Sequence, residues 1–249
     1  MFFIILPAYN EAQALELLLP RMLKALQDYP CRILVVDDGS TDGTAQTAAC
    51  YQGRGVELLQ HGRNKGLGEA LYSGFETVLR DSEPEDVIIT MDADNTHGPE
   101  LIPAMSEQIA QGLDIVVASR FAVGGRQVGL PFYRRFLSRG AGVLMALFFP
   151  LPGVRDYSSG YRAYRAGFLA RVLSEYGTGL IESGGFAVSV EILLKSAVLR
   201  PHCGEAPLVL RYDFKQGKSK MPLLRTIAGY VSLIFRLKRD LGVQPEVEA

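Results

Sequence analysis

The sequence of 249 residues predicts an α/β protein built on a mostly parallel sheet that is covered by helices on both faces. Two observations predict this class. Short apolar runs alternate with segments of helical periodicity through the first 119 residues, and the runs lack the polar alternation of a half-exposed strand. Apolar strands that are separated by helices are typical of parallel sheets buried on both sides.

The first two strands of this prediction are "FFIIL" and "RILVV". A helix is expected between them, with Asn10 as its N-cap and Gln13 at the capping-box position. Pro20 lies inside this helix and is expected to kink or split it, because proline cannot donate the backbone hydrogen bond. Ser40 or Thr41 is expected to cap the helix that follows the second strand.

The next three strands are "GVELL", "DVIIT" and "LDIVVA". The glycine-rich stretch "GRNKGLGEA" follows the third strand and leads into a helix that is expected to end near Arg80. Another helix is expected from Pro99 to about Gln111, between the fourth and fifth strands.

Polar residues follow the carboxyl end of each predicted strand. Ligands of open parallel sheets bind at that edge, so the clusters predict a binding site there. The residues concerned are Pro7, Tyr9, Asn10, Glu11, Asp37, Asp38, Asn64, Lys65, Gly66, Asp92, Asp94, Ser119 and Arg120.

The composition limits the class of protein. Hydrophobic residues make up 48% and charged residues 21%, which is enough for one sizeable core. The three cysteines, Cys31, Cys50 and Cys203, lie far apart without a CxxC motif, which favours a reducing compartment and disfavours a thiolate zinc site. The N-terminal "MFFIILP" lacks a positive region and is predicted to be the first strand rather than a signal peptide.

The charges are unevenly distributed along the chain. Residues 1–119 carry 7 Lys and Arg against 18 Asp and Glu, whereas residues 120–240 carry 19 against 7. The basic half indicates an anionic partner, such as phosphate, a lipid head group or nucleic acid. The alternative is that two parts of the molecule have opposite charges that merely offset each other.

The stretch "MDADNTH" at residues 91–97 allows two interpretations. "DADNT" fits the DxDx[T/V] signature of haloacid-dehalogenase-type phosphotransferases, but that signature normally follows the first strand and is accompanied by later Ser/Thr and Lys motifs that are not evident here. The second interpretation is a transferase that uses a nucleotide sugar. There, a divalent cation held by two carboxylates neutralises the charge that develops on the diphosphate leaving group.

Eight motifs in order decide between these interpretations: "LPAYNEA", "VVDDGSTDGT", "NKGLGEAL", "MDADNTH", "ASRF", "RRFLSRGA", "SSGYRAYR" and "GKSKM". Together they resemble the polyprenyl-phosphate sugar transferases of glycosyltransferase family 2, the dolichyl-phosphate mannose synthase-like group. The resemblance runs from about residue 3 to residue 221. Processive polysaccharide synthases of the family carry QxxRW, and this chain has no tryptophan.

The resemblance implies a GT-A fold and a nucleotide-sugar site formed by Pro7, Tyr9, Glu11, Asp37, Asp38, Lys65, Gly66 and Asp92. In it Asp38 accepts a hydrogen bond from the base, and Asp37 orients the ribose or the loop. Asp92, Asp94 and Thr96 are the implied ligands of Mg²⁺ or Mn²⁺. Mannose synthases often have glutamine where Thr96 stands, so water or His97 is the alternative for completing the metal shell.

The resemblance also implies the groups that hold phosphate. Arg120 and Arg134 match family arginines and are expected to act in catalysis together with Asp92 and Asp94. The acceptor and phosphate site is expected to comprise Arg120, Arg134, Ser159, Arg162, Arg211, Lys218, Ser219 and Lys220. Asp156 and Gly160 lie in the same "DYSSGYR" loop as Ser159 and Arg162, and Glu191 is interpreted as structural.

The implied reaction is the inverting transfer of a sugar from a nucleoside diphosphate sugar to a polyprenyl or dolichyl monophosphate. GDP-mannose is the favoured donor and UDP-glucose is possible. The alternatives are a family 2 transferase with a different donor or acceptor and a non-catalytic subunit that binds nucleotide sugars. Nucleic acid is the poorest partner, because the basic half contains no recognised nucleic-acid-binding motif.

A lipid acceptor implies contact with a membrane surface. No stretch reaches the roughly 20 apolar residues of a spanning helix, but residues 141–154 and 222–239 are apolar with basic residues nearby. We therefore expect a transferase domain at 1–221, an amphipathic interface helix at 222–240 and a disordered tail at 241–249. The protein is expected to be peripheral on the cytoplasmic face of the membrane, with a membrane-anchoring subunit as a possible partner.

Overall fold

The structure, a computed structural model, describes residues 1–129, 140, 142, 145–185, 187–214 and 223–241. The strands are β1 Phe2–Ala8, β2 Cys31–Asp37, β3 Val56–Gln60, β4 Val87–Thr90, β5 Ile115–Ser119, β6 Arg126–Val128, β7 Arg162–Arg165, β8 Cys203–Pro207 and β9 Val209–Arg211. The helices are α1 Ala12–Ala25, α2 Thr44–Ala49, α3 Leu67–Leu79, α4 Ile102–Ala110, α5 Ala166–Tyr176, α6 Ala187–Ala197 and α7 Leu223–Leu241.

The main sheet has the strand order β3-β2-β1-β4-β7-β5-β8. Neighbours among β1 to β4 pair in parallel, as do β5 and β8, so the predicted mostly parallel sheet is confirmed. The β7 strand runs antiparallel between β4 and β5 and was not predicted. Because β3, β2, β1 and β4 are adjacent and parallel, the carboxyl ends of these four strands lie side by side at one edge.

Helices cover both faces of the sheet. On β1 the side chains of Phe3 and Ile5 belong to one apolar core, while those of Ile4 and Leu6 belong to a second core on the opposite face. Helices α3, α5, α6 and α7 contribute to the first core, and α1, α2 and α4 contribute to the second. All four of these β1 side chains are at most 1% exposed, which accounts for the absence of polar alternation in the strand sequence.

Two local predictions about helix caps are wrong. Asn10 does not cap α1, whose N-cap is Glu11; the backbone of Asn10 has a positive φ of 54° and its side chain faces the next loop. Neither Ser40 nor Thr41 caps α2, which begins after Gly43. Helix α1 continues through Pro20 as one element, so the proline does not split the helix.

A second, two-stranded sheet joins β6 and β9 in parallel. The backbone N–H of Arg211 in β9 donates to the carbonyl of Thr96 at 2.9 Å, which attaches this ribbon to the loop after β4. Beyond the two strands, Gly129 and Asp213 approach so closely that a Cβ on Gly129 would lie 2.9 Å from the backbone nitrogen of Asp213. The segments that follow β6 and β9 therefore begin side by side, at the same end of the ribbon.

Candidate active site

The loops after β1 and β2 are joined by a set of backbone-to-side-chain hydrogen bonds. The backbone N–H of Asn10 donates to Oγ of Ser40 at 2.9 Å, and that of Thr41 donates to Oδ1 of Asn10 at 2.8 Å. One residue further on, the N–H of Glu11 donates to Oγ1 of Thr44 at 2.9 Å. The side chain of Asn10 thus stabilises the contact between two loops rather than a helix end.

Asp38 fixes the loop after β3. Its Oδ1 accepts the backbone N–H of Lys65 at 2.9 Å and its Oδ2 accepts that of Gly66 at 2.7 Å. The carboxylate is 4% exposed at the residue level, so these bonds compensate for its removal from water. Gly66, with φ of 95°, then begins α3. Asp38 therefore holds the glycine-rich loop in position, and its predicted contact with a base remains a prediction.

His61 is a site residue that the sequence analysis missed. Its Nδ1 lies 2.8 Å from Oδ1 of Asp38, and its Nε2 lies 3.0 Å from Oγ of Ser73 in α3. A carboxylate only accepts hydrogen bonds, so Nδ1 carries the proton and the serine hydroxyl can donate to Nε2. His61 directly follows β3, so the rule that polar residues at strand ends form the site would have identified it.

Asp37 occupies a more local position. Its Oδ1 accepts the backbone N–H of Ser40 at 3.0 Å, and the residue is 2% exposed. This bond shapes the turn that carries Gly39, where a Cβ would lie 2.3 Å from the carbonyl carbon of Arg63. Only glycine allows the loops after β2 and β3 to approach so closely, which agrees with the predicted loop-orienting role of Asp37.

The DxD motif lies directly after β4, as predicted. Asp92 and Asp94 are both partly exposed, whereas Asn95 and Thr96 are buried. Oδ1 of Asp94 accepts the hydroxyl of Thr96 at 2.6 Å and the backbone N–H of Thr96 at 3.1 Å. Thr96 thus orients the carboxylate of Asp94, and its role as a direct metal ligand remains a prediction.

His97 stands behind the motif. Its ring lies 5.2 Å from the ring of Tyr161, measured between centroids, and the hydroxyl of Tyr161 donates to the carbonyl of Gly98 at 3.0 Å. Burial raises the pKa of Tyr161, which keeps the phenol protonated as a donor. Nδ1 of His97 is buried and has no hydrogen-bond partner within the described part of the chain.

The two aspartates fit a hard divalent cation. Within the described ranges, no third His, Cys, Asp or Glu joins them to make a closed protein site. Mg²⁺ is commonly bound by one or two carboxylates together with substrate phosphates and water, so an incomplete protein shell suits a cation that binds with a diphosphate.

The loop that contains Ser159 and Gly160 lies against the DxD motif. The hydroxyl of Thr90 donates to the carbonyl of Gly160 at 2.7 Å, and a Cβ on Gly160 would lie 3.7 Å from Oδ1 of Asp92. Oγ of Ser159 is buried without a hydrogen-bond partner among the residues that the structure describes. The structure thus brings the loop that contains the predicted Ser159 next to Asp92, through Gly160.

Two arginines that are expected to bind phosphate have internal hydrogen-bond partners. Arg120 donates from Nε and Nη2 to the carboxylate of Asp156 at 2.7 and 2.6 Å, and from Nη2 to Oγ of Ser158 at 2.6 Å. Arg162 is 1% exposed and donates to the backbone carbonyls of Tyr157 and Ser189. These bonds give Arg162 a structural role, and its contact with phosphate remains a prediction.

The pKa values of the Arg120–Asp156 pair reflect their mutual stabilisation. Burial alone would lower the pKa of Arg120, but the charge and hydrogen bonds of Asp156 raise it above its ordinary value. Burial alone would raise the pKa of Asp156, but Arg120 holds it below the usual range for aspartate. Both groups therefore stay ionised at neutral pH.

The remaining predicted phosphate ligands divide into two groups. Arg211 is a surface residue that pairs with Asp213 at 2.7 Å and stacks on the ring of Phe214, with its guanidinium carbon 3.9 Å from the ring centroid. Arg134, Lys218, Ser219 and Lys220 lie outside the described residues, as do residues 242–249 of the predicted tail.

Comparison with known proteins identifies the family of this chain. The sequence model of the family described as "Glycosyl transferase family 2" matches residues 3–173, more than half of the chain. The chain belongs to glycosyl transferase family 2. The family match covers the strand-end loops, the DxD motif and the Arg120–Asp156 pair, and it ends within α5, so α6 and α7 lie beyond it.

Curated relatives cover more of the chain. A dolichol-phosphate mannosyltransferase of Pyrococcus furiosus is 34% identical over 96% of this chain and 64% of its own length, so the chain spans about two thirds of that relative. An undecaprenyl-phosphate mannosyltransferase of Micrococcus luteus is 34% identical over 87% of this chain and 86% of its own length. A polyprenol monophosphomannose synthase of Mycolicibacterium smegmatis is 32% identical over 76% of this chain and 69% of its own length.

Solved structures confirm the fold. A glucosyl-3-phosphoglycerate synthase of Mycobacterium tuberculosis, crystallised with Mn²⁺, UDP and glucosyl-3-phosphoglycerate, superposes with a TM-score of 0.66 at 20% identity. The match covers 99% of this chain and 81% of that one. The same enzyme with Mg²⁺ and UDP gives a TM-score of 0.65 at 21% identity, covering 99% of this chain and 81% of that one.

Proposed function

We propose that this protein transfers a sugar, mannose, from a nucleoside diphosphate sugar to a polyprenyl monophosphate, with inversion at the anomeric carbon. The observation that carries the proposal is the DxD pair after β4, which faces the same sheet edge as the loops after β1, β2 and β3. The names of the curated relatives support mannose and a polyprenyl phosphate. GDP-mannose is the donor we favour, with UDP-glucose as the alternative.

The donor is proposed to lie across the ends of β2, β1 and β4. Pro7, Tyr9 and Glu11 would contact the nucleoside next to the loops that Asp37 and Asp38 hold in place. Tyr9 is 39% exposed and offers an aromatic face at this edge. The diphosphate would then lie between the α3 end of the glycine-rich loop and the DxD motif, where Asp92 and Asp94 would hold the cation.

Mg²⁺ or Mn²⁺ at this position would neutralise the charge that develops on the diphosphate as it leaves. The residues of this chain have a different task, which is orientation. Thr96 holds Asp94, so this carboxylate is oriented before substrate binds, and Asp92 lies next to the Ser159–Gly160 loop. Groups that are already oriented lower the activation free energy of sugar transfer without a proton transfer.

A phosphate acceptor explains why a general base is not required. The second pKa of a phosphate monoester is near 6, so its oxygen is ionised at neutral pH. This oxygen attacks the anomeric carbon, the bond from that carbon to the diphosphate breaks, and the nucleoside diphosphate departs with the bonding electrons. Atoms and charges balance without a catalytic histidine or glutamate.

The two basic segments around Arg134 and Lys218 are proposed to contact phosphate groups. Support comes from the described residues before each segment, since Gly129 and Asp213 adjoin at one end of the β6–β9 ribbon. The ribbon is itself bonded to the carbonyl of Thr96 in the DxD loop.

The membrane side is proposed to include α7 and the helical residues 145–148. Nζ of Lys238 in α7 lies 4.1 Å from the centroid of the Phe148 ring, so the two apolar segments singled out in the sequence adjoin. Leu147 and Phe235 are 75% and 71% exposed. Exposed apolar side chains beside a lysine are typical of a surface that binds lipid. No helix in the described part of the chain has the length and apolarity needed to span a bilayer.

A donor screen tests this proposal. The purified protein is incubated with vesicles that contain polyprenyl phosphate, with Mg²⁺ or Mn²⁺, and with labelled GDP-mannose or UDP-glucose. We expect a labelled product that extracts into chloroform, and more of it from GDP-mannose. Label that enters lipid equally without polyprenyl phosphate, or no lipid product from any donor, would contradict the proposal.

A further inference from the structure

The carboxylate of Glu191 in α6 is a buried junction of three segments. Its side chain is 0% exposed. Oε2 accepts the backbone N–H groups of Glu182 and Ser183 at 3.0 and 2.7 Å. Oε1 accepts from Nη2 of Arg236 at 2.6 Å and forms an ion pair with Nζ of Lys195 at 2.8 Å. A carboxylate removed from water requires such compensation, and here four donors from three segments supply it.

Arg236 brings the C-terminal helix to this junction. The same Nη2 atom that binds Glu191 also donates to Oγ of Ser183 at 2.8 Å. Its side chain is 26% exposed, so the residue enters the junction from the surface. A second contact lies one to two turns earlier, where a Cβ on Gly229 would be 3.7 Å from Cβ of Ala187. Helix α7 is therefore attached to α6 and to the 181–183 loop at once.

The 181–183 loop rests directly on the first turn of α3. A Cβ on Gly68 would lie 2.6 Å from Cγ2 of Ile181 and 3.6 Å from the carbonyl oxygen of Ser183. Gly68 is two residues after Gly66, whose backbone N–H binds Asp38. The loop that Glu191 orders thus packs beside the glycine-rich loop of the donor site.

Helix α6 also reaches the other side of the site. The carbonyl of Ser189, two residues before Glu191, accepts a hydrogen bond from Arg162. A Cβ on Gly160 would lie 3.1 Å from Oγ of Ser189 and 3.7 Å from Oδ1 of Asp92. One helix therefore touches the DxD side through Ser189 and the glycine-rich loop through the residues that Glu191 holds.

We propose that Arg236 and Glu191 form a positioning link through which the C-terminal helix holds the 181–183 loop against α3, and thereby sets the affinity for the nucleoside diphosphate. The inference rests on the proposed function, since it takes the donor's diphosphate to lie by the glycine-rich loop. Arg236 does not contact the donor. It acts through Glu191 and Ser183, and it lies outside the segment that the family match covers.

Nucleotide affinity in solution, without lipid, tests the link. Binding of GDP and of UDP in the presence of Mn²⁺ is measured by calorimetry for the wild type, Arg236→Met, Arg236→Lys and Arg239→Met. Arg239 is an exposed residue of the same helix, so its variant loses the same charge without altering the junction. Hydrogen bonds to charged groups carry enough free energy that we expect Arg236→Met to weaken binding by about tenfold.

The other two variants separate the effect of the charge from the effect of the hydrogen bonds at the junction. Arg236→Lys keeps the charge, but its shorter side chain and compact ammonium group do not reproduce the position of Nη2 between Glu191 and Ser183, so an intermediate affinity is expected. Arg239→Met is expected to bind within about twofold of the wild type, because a charge pair at an exposed position contributes little. Hydrogen exchange in peptides that cover residues 63–68 and 179–185 should rise in Arg236→Met and stay unchanged in Arg239→Met.

Equal nucleotide affinity of Arg236→Met and Arg239→Met, with unchanged exchange at residues 63–68, would overturn the link. If Arg236→Met does not fold, Ser183→Ala replaces it, since that change removes only one hydrogen bond of the junction, and wild-type affinity and exchange would then overturn the link. If the wild type binds neither GDP nor UDP, the proposed function fails, and the exchange measurement still decides whether Arg236 holds the 181–183 loop against α3.

Discussion

The carboxylate of Asp156 binds the guanidinium of Arg120 through two hydrogen bonds of 2.7 and 2.6 Å, and the Asp156 side chain is wholly buried. The backbone N–H of Arg120 adds a third bond to the same carboxylate at 3.1 Å. Because Arg120 follows β5 and Asp156 precedes the Ser159–Gly160 loop, this pair fixes the loop beside the DxD motif.

Asp156→Asn is expected to destabilise the fold by about 3–5 kcal/mol, since it leaves the buried Arg120 without its counter-ion. The pKa of Asp156 is below its ordinary value in the folded state, so the contribution of the charge is present above the unfolded pKa and is lost as pH falls through the folded pKa. Urea unfolding of both proteins should show a constant difference from pH 8 to about 5 that shrinks only below about pH 4. A difference that vanishes near neutral pH would contradict the pairing.

Thr96→Val is expected to weaken metal binding, because it removes the 2.6 Å hydrogen bond that orients Asp94. Loss of a group that orients a metal ligand typically costs about 10–100-fold in metal affinity or activity. The Mg²⁺ concentration for half-maximal transfer should rise by that order in Thr96→Val and stay near the wild-type value in Thr96→Ser, which keeps the hydroxyl. An unchanged metal requirement in Thr96→Val would show that Asp94 does not need this bond.

His61→Phe is expected to raise the KM for the donor with a smaller change in kcat, because it leaves Asp38 without one of its partners at the glycine-rich loop. His61→Asn keeps a donor near the position of Nδ1 and should recover most of the loss. Ser73→Ala removes only the bond to Nε2 and should have the smallest effect. Steady-state kinetics with varied donor separate these outcomes, and a pure kcat effect in His61→Phe would contradict a positioning role.

The fold was predicted where sequence pattern reflects burial. β1, β2 and β4 are apolar runs that lie between two cores, and their positions followed directly. β7 was missed because its four residues, "RAYR", begin and end with arginine, and pairing on both edges rather than hydrophobicity makes it a strand. The predicted cap at Asn10 was wrong because the side-chain oxygen of Asn10 accepts a hydrogen bond from the backbone N–H of Thr41, in the loop after β2.

The sequence predicted which residues lie at the carboxyl ends of the strands. It did not predict which side chains form hydrogen bonds with one another there. Asp37, Asp38, Asp92 and Asp94 gather at one edge because parallel strands bring them there. A sequence does not indicate which arginine in a basic segment binds a buried carboxylate and which remains available for substrate. For this reason the sequence led us to expect phosphate binding by Arg162, whereas the structure shows its guanidinium bound to backbone carbonyls.

Phe235→Asp is expected to reduce binding to anionic vesicles. Burial of a phenylalanine side chain contributes about 1.5–3 kcal/mol, so the partition coefficient should fall by roughly 10–100-fold. Val123→Asp is the matched control, since Val123 is 92% exposed and lies in the loop before the β6–β9 ribbon rather than in α7. Vesicle sedimentation measures both variants, and equal losses would show that added negative charge, rather than the α7 surface, determines the effect.

The central claim is that the two aspartates after β4 hold a divalent cation on the diphosphate of the donor. Asp94→Asn removes one negative charge with little change in shape. Glu100→Gln is the matched control, since Glu100 lies six residues after Asp94 in the sequence and forms an ion pair with Arg21 at the surface. The direct measurement is the rate of labelled sugar transfer to polyprenyl phosphate across a Mg²⁺ and Mn²⁺ titration. We predict that Asp94→Asn loses about 100-fold or more at moderate metal concentration and that Glu100→Gln stays near the wild type. Transfer by Asp94→Asn at the wild-type rate with an unchanged metal dependence would contradict the claim.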